Sequence, residues 1–353
     1  MPMARVLLIT VLAGTLATGT SIGSLYFFGD SLTDSGNVYQ GTSVLNRYTL
    51  GLVPREPSAP YVDGRFTNGP VWAEYLASLL GKPQDGQYAG MSLGWFGETG
   101  GPGNNYAIGG ARTDYGGALG SFDSVIPTGM RQQVDFYLRR HNGSADPSGT
   151  YFFLGGGNDL RDASKISDPE ARRRAAIEAG ENIAYAVRDL YFAGARSFVL
   201  INSPDVGLTP ESLNNGLSPA ATDASVQFNS WLGRYAAYLR TVPDLSLQYF
   251  DLFSFHHELV AKYGADAVKA CKGGPPELCN QTLFFDSIHP TSWVHQMFAQ
   301  RLSDELMRAT AQPYMTRSTA DPSIRTTENP EPATAIFALF GFAALLLYRR
   351  YSR

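Results

Sequence analysis

Short apolar runs, each closed by a glycine or a polar turn, alternate along this chain with longer segments whose apolar positions recur every three or four residues. The short runs are Ser24–Phe28 (SLYFF), Tyr151–Leu154 (YFFL), Ser197–Ile201 (SFVLI) and Leu247–Leu252. Runs of that length between chain breakers predict buried strands. The longer segments have helical spacing. Pro70–Leu80 places Val71, Trp72, Tyr75, Leu76, Leu79 and Leu80 on one side and stops at Gly81. Pro169–Ala193 does the same with Ile177, Ile183, Val187, Leu190 and Tyr191 before Gly194. Thr222–Thr241 and Trp293–Leu306 follow the same rule. Apolar strands separated by amphipathic helices predict a parallel sheet covered on both faces. In such a sheet the chemistry belongs to the loops at the carboxyl ends of the strands.

Both ends depart from this alternation. Residues 1–23 carry Arg5, an apolar run from Val6 to Leu16, and then small residues through Gly23. That order predicts a secretory signal, and the run is short for a membrane span. At the other end Pro330-Glu331-Pro332 precedes an apolar stretch from Ala333 to Tyr348, and Arg349, Arg350 and Arg353 close the chain. At ~1.5 Å per residue the stretch reaches about 24 Å, slightly less than a hydrocarbon core. Residues 312–329 are polar and aperiodic, as a flexible linker would be. One folded domain is therefore expected over residues 24–311. The tail (330–353) resembles the PEP-CTERM sorting signal of Gram-negative bacteria. That resemblance implies export, tethering at the cell envelope until the tail is processed, and an exosortase-type enzyme as processing partner.

Composition narrows the classes. Hydrophobic residues make up 44% of the chain and charged residues 17%, which supplies a core and excludes global disorder. The net charge of −4 comes without a long basic run, so no nucleic-acid partner is expected. The only cysteines, Cys271 and Cys279, flank KGGPPEL, a turn-forming stretch. In an oxidising compartment this pair predicts a local disulfide. With no third ligand nearby the pair is a poor metal site, and neither a metal nor a cofactor is expected.

Four segments carry candidate chemistry. Gly29-Asp30-Ser31-Leu32 follows the first strand, so Ser31 sits on a sharp turn with its own N–H free to face an oxyanion. Asp286-Ser287-Ile288-His289-Pro290 offers a base and a carboxylate three residues apart on one loop, which a serine nucleophile requires. Gly155-Gly156-Gly157-Asn158-Asp159 ends the YFFL strand; it lacks the phosphate-loop pattern, and its Asn158 amide is a natural oxyanion donor. Asn105-Tyr-Ala-Ile-Gly-Gly-Ala-Arg112 holds glycines able to present an unobstructed N–H. The remaining histidines read differently: His256 and His257 as solvated helix residues, His295 as a surface or supporting residue, His141 as solvated.

These segments, in this order, resemble the blocks of the GDSL family of lipases and esterases within the SGNH hydrolases. FFGDSLTDSGN corresponds to the serine block, NYAIGGAR to the glycine block, FFLGGGND to the asparagine block and FFDSIHPT to the aspartate–histidine block. GRFTNGPVWAEYLA (64–77) is also similar to the stretch after the first block, so the resemblance covers residues 25–306. It implies a flavodoxin-like three-layer α/β/α sandwich around a parallel sheet. It implies Ser31 as nucleophile, His289 as base, Asp286 as its orienting carboxylate, and an oxyanion hole from Ser31, Gly110 and Asn158. Gly110 is preferred to Gly109 because it lies five residues after Asn105, as in the family's block. The function expected is an exported serine ester hydrolase working through an acyl-enzyme on a lipid, short-chain ester or acetylated glycan. A polysaccharide deacetylase of the extracellular matrix is the alternative within that chemistry. A surface-anchored binding protein with a dead site is the alternative outside it.

Overall fold

A computed structural model describes residues 23–117, 126 and 128–311. The signal expected over 1–23 (Gly23 apart), the linker over 312–329 and the tail over 330–353 lie outside the described residues. No helix among the described residues is long and apolar enough to cross a membrane.

The strands are β1 (Leu25–Gly29), β2 (Thr150–Leu154), β3 (Ser197–Ile201) and β4 (Ser246–Phe250), all parallel and in the order β1-β2-β3-β4. Along the outer edge of β1 runs residues 104–108: Phe27 N–H donates to Asn104 O, and Tyr106 N–H to Phe27 O. Counting that segment in chain order gives a 2-1-3-4-5 sheet, the flavodoxin-like winding. Its switch point, where successive connections leave in opposite directions, lies between β1 and β2.

β1, β2 and β3 are apolar on both faces because each face is covered, whereas the edge strand β4 leaves Ser246 and Gln248 exposed. Leu25, Phe27, Phe152, Leu154, Val199, Ile201 and Phe250 join one core cluster. Most of its other members come from α2 (Trp72–Leu79), α8 (Leu252–Tyr263) and α9 (Ser292–Ala311), joined by Val71, Ala267, Leu283 and Phe284. The alternate residues Tyr26 and Phe28 meet Tyr137 of α3 (Met130–Arg140) edge to face, and Tyr151 shares a hydroxyl hydrogen bond with Tyr137. Beside α3 on that face lies α5 (Pro169–Ala193), itself packed on α7 (Ser218–Leu239). Three layers result, and the two side-chain directions of a strand account for them.

The helix ends follow the sequence signals. Asp168 caps α5 by accepting from Glu170 N–H and Ala171 N–H, Pro169 opens it, and Gly194 ends it at φ 119°. The helix expected at Thr222 begins earlier, at Ser218, because Pro219 is tolerated in a first turn. The first helix, α1 (Asn37–Tyr48), has no counterpart among the helices expected from the sequence. Completing the set are α4 (Gly157–Ala163) and the short α6 (Pro210–Asn214).

Candidate active site

Three of the four motif segments leave the sheet at the switch point. The turn 30–33 follows β1, residues 108–111 follow the edge segment, and α4 follows β2. The turn after β1 is held from beneath. Gln133 of α3, fully buried, accepts from Gly29 N–H at 3.0 Å and donates to Gly29 O at 2.8 Å. Asp34 accepts from Gly36 and Asn37 N–H at 2.7 and 2.6 Å and from Gly109 N–H at 2.9 Å. One buried carboxylate thus ties the serine turn to the glycine segment.

The fourth segment arrives from the chain's far end. His289 Nε2 lies 2.7 Å from Ser31 Oγ, and His289 Nδ1 lies 2.7 Å from Asp286 Oδ2. The other oxygen, Asp286 Oδ1, accepts from Ile288 N–H at 2.8 Å and His289 N–H at 2.7 Å. Both bonds close inside the loop, so the carboxylate folds the turn that carries its own histidine. Burial would raise the Asp286 pKa; hydrogen bonding and charge from His289, with the Tyr61 and Ile288 donors, instead hold it well below the usual carboxylate range. Asp286 is therefore an anion that accepts from Nδ1–H, leaving Nε2 as the basic nitrogen toward Ser31.

The oxyanion candidates sit beside this line. Ser31 N–H and Gly110 N–H donate to no protein acceptor among the described residues. Gly110 has φ 81°, a conformation that glycine adopts without strain. Gly109, the weaker candidate, already spends its N–H on Asp34. It is glycine for another reason: a Cβ there would lie 2.1 Å from the Phe66 ring, which packs against His289 at 5.4 Å between centroids. Asn158 Nδ2 donates to Ala111 O at 2.9 Å, and its Oδ1 accepts from Arg161 at 3.1 Å. One proton of the Nδ2 amide is left for a ligand.

Two features of the site had no sequence signal. Tyr61 donates to Asp286 Oδ2 at 2.6 Å from a position 225 residues away in the chain. Arg161 is gripped by Glu211 through two 2.6 Å bonds, and Glu211 N–H donates to Ser287 O at 2.9 Å. The readings of His256 and His295 need correction as well. His256 is buried on α8, where burial drops its pKa to about 4. His295 is 3% exposed and takes Trp72 N–H on Nδ1 at 3.3 Å, and burial drops it to about 3. His257 pairs with the buried Asp205 at 3.0 Å. His141 stacks on Tyr137 at 4.1 Å and bonds its carbonyl. His256 and His295 are thus buried rings, whereas His257 stays exposed on α8, as expected.

Cys271 and Cys279 are joined in a disulfide. The bridge packs with Phe285 and Tyr61, directly behind Asp286. A cavity of about 70 Å³ opens on the α8/α9 side, lined by Leu32, Pro204, Phe255, Leu283, Ile288 and Val294 among others. A larger polar cleft of about 570 Å³ lies on the other side, between α1 and residues 55–65, with Tyr39, Arg55, Tyr61 and Tyr88 in its wall.

Fold and site together define a doubly wound α/β protein with hydroxyl, imidazole and carboxylate in one hydrogen-bonded line at the switch point. The chain belongs to the GDSL-like Lipase/Acylhydrolase family, whose model matches residues 25–302. It is 25% identical to a phosphatidylcholine-sterol acyltransferase of Aeromonas hydrophila, over 71% of this chain and 65% of that protein. It is 30% identical to esterase EstA of Pseudomonas aeruginosa, over 65% of this chain and 36% of that protein. The chain thus spans about two thirds or less of the length of these curated relatives. Among solved structures it is similar to a member of the lipolytic G-D-S-L family from Veillonella parvula. That likeness has a TM-score of 0.41 at 12% identity, over 80% of this chain and 98% of the other.

Proposed function

We propose that the protein is an exported carboxylic ester hydrolase acting through an acyl-enzyme on Ser31. The observation that carries this reading is the unbroken line from Ser31 Oγ through His289 to Asp286, two contacts of 2.7 Å each. Nε2 takes the Ser31 proton as Oγ attacks the ester carbonyl, and Asp286 stabilises the imidazolium that forms. The carbonyl oxygen, now an anion, is received by the N–H groups of Ser31 and Gly110 and the amide of Asn158. His289 then returns the proton to the departing alcohol, and a water molecule repeats the sequence to release the acid. No metal or cofactor enters any of these steps.

The two recesses orient the ester. The apolar cavity starts at Leu32 and Ile288, the neighbours of Ser31 and His289, and receives the acyl chain. At ~10–15 Å³ per water-sized group, its 70 Å³ takes a short to medium chain. The polar cleft then faces the alcohol part. Its tyrosines and amides also favour a second reading, an acetylated glycan as substrate. Export and processing of the tail are read from the sequence of the two ends. The test is an ester panel from acetyl to long acyl, with phospholipid and acetylated xylan included. Ser31→Ala is expected to lose turnover on every substrate while keeping its melting transition. Wild-type rates in that variant would remove Ser31 as nucleophile. Acetylated xylan outpacing every lipid ester would select the second reading.

A further inference from the structure

Asp286 Oδ2 accepts two hydrogen bonds: one from the base it orients, and one from a phenol that no step of the reaction uses. The phenol belongs to Tyr61, at the end of the segment 49–61 that leads away from α1. The ring is fixed on three sides. Lys272 Nζ stands 3.8 Å above its centroid, Phe285 meets it at 5.4 Å and Phe66 at 6.1 Å, both edge to face. Lys272 itself follows Cys271, and its N–H donates to Phe285 O. Burial and the Asp286 carboxylate push the Tyr61 phenol well above its ordinary range, so it remains a donor at every working pH.

We propose that Tyr61 is a positioning residue of the triad, holding Asp286 Oδ2 on the His289 axis and limiting the carboxylate's basicity toward the imidazole. A carboxylate with one lone pair committed to a phenol cannot swing that oxygen away from Nδ1. It also attracts the imidazolium proton less strongly than it would alone, which keeps the base free at lower pH. The proposal rests on the triad reading above and adds a fourth member to it. Tyr61 also forms part of the polar cleft's wall, so a role in substrate binding alone is the rival account.

The two accounts separate in kinetics. The charged or titratable groups facing this pair are Tyr61, Lys272 and Glu56 on one side, and Arg161 with Glu211, Asp30 and His295 on the others. Tyr61→Phe keeps the ring and its packing and, of those groups, removes only the Tyr61 hydroxyl. With p-nitrophenyl butyrate, kcat is expected to fall about tenfold, the scale of one hydrogen bond to a charged group, while KM stays where it was. The acid limb of the kcat/KM profile should move to higher pH by roughly half a unit, because the freed carboxylate holds the imidazolium more tightly. In an Asp286→Asn background the same change should cost nothing further. A kcat loss with an unmoved acid limb, a change in KM alone, or an equal loss in the Asp286→Asn background would each overturn the proposal. Failure of the triad reading is seen separately, as activity retained in Ser31→Ala.

Discussion

Asn158 serves an oxyanion only if its amide faces one way, and two neighbours fix that direction. The Ala111 carbonyl can only accept, so it takes Nδ2; the Arg161 guanidinium can only donate, so it takes Oδ1. Asn158→Ala should therefore cost about 2.7–4 kcal/mol in kcat. Steady-state kinetics check this, and a loss confined to KM would make Asn158 a plain binding residue. Asp30, next to Ser31, is different in kind. It is 3% exposed, and burial pushes its pKa to about 6, against an N–H donation from Leu32. The folded pKa exceeds the unfolded value of ~3.9, so this group favours the fold fully below ~pH 3.9 and loses that contribution as pH rises through about 6. Asp30→Asn, which keeps the shape without the charge, should raise the unfolding free energy at pH 8 by on the order of 2 kcal/mol and change little at pH 4. Urea titrations at the two pH values measure it, and an equal effect at both would refute the assignment to ionisation. The contrast explains what was legible residue by residue. Ser31 and Asn158 stand in glycine-marked turns after strands, and Asp286 and His289 in a proline-closed loop before the last helix, where no apolar period masks the side-chain chemistry. His256 and His295 stand on helices, where spacing alone does not tell a ring facing inward from one facing water.

At the scale of elements, the site is joined by the turns that begin α4 and α6. Asn158 lies in the first turn of α4, Arg161 one turn later, and Glu211 in the first turn of α6. Glu211 grips Arg161 with its side chain and the Asp286–His289 loop with its N–H at Ser287 O. Asn158 and the Asp286–His289 loop are thereby registered to one another through a single ion pair. Arg161→Met should lower kcat roughly tenfold, a fraction of the full donor's effect, and should add little to Asn158→Ala. A full, additive loss in the double variant would mean Arg161 acts without Asn158. Helix order was readable where the buried face is apolar, as in α5 and α9. It failed at α1, where the fully buried positions are Asn37 and Gly41 and the apolar Val38, Val44 and Leu45 are only partly buried, a stripe too sparse to stand out. Asn37 is buried for its hydrogen bonds instead, donating to Asn105 O and Ala107 O at 2.8 Å each. At α3 a core position is filled by Gln133, the amide that holds the end of β1, and it interrupts the stripe.

For the molecule as a whole, alternation of strand and helix was enough to foresee the parallel sheet and to put the chemistry at its carboxyl edge. The approach of residues 49–66 to the Asp286 loop was not foreseeable, because it depends on packing between segments more than 200 residues apart. The disulfide belongs to that packing. Cys271 N–H donates to Phe284 O and Phe285 O at 3.1 Å, and the Cys279 carbonyl accepts Trp293 Nε1–H of α9 at 2.6 Å. The bridged loop is thus clamped between the residues leading into Asp286 and the helix that follows His289. Closing a loop with a sequence separation of 8 restricts the unfolded chain by roughly 2–3 kcal/mol in the loop-entropy account. Cys271→Ser/Cys279→Ser should therefore melt at lower temperature. Because the loop also seats Lys272 over Tyr61, kcat should fall well below the variant's own melting point, as the base drifts from Ser31. Thermal melts and kcat at 25 °C, measured on the same preparations, decide between two roles. A lower melting temperature with kcat intact would make the bridge a staple for the fold alone. A fall in both ties it to the geometry of the Asp286–His289 loop.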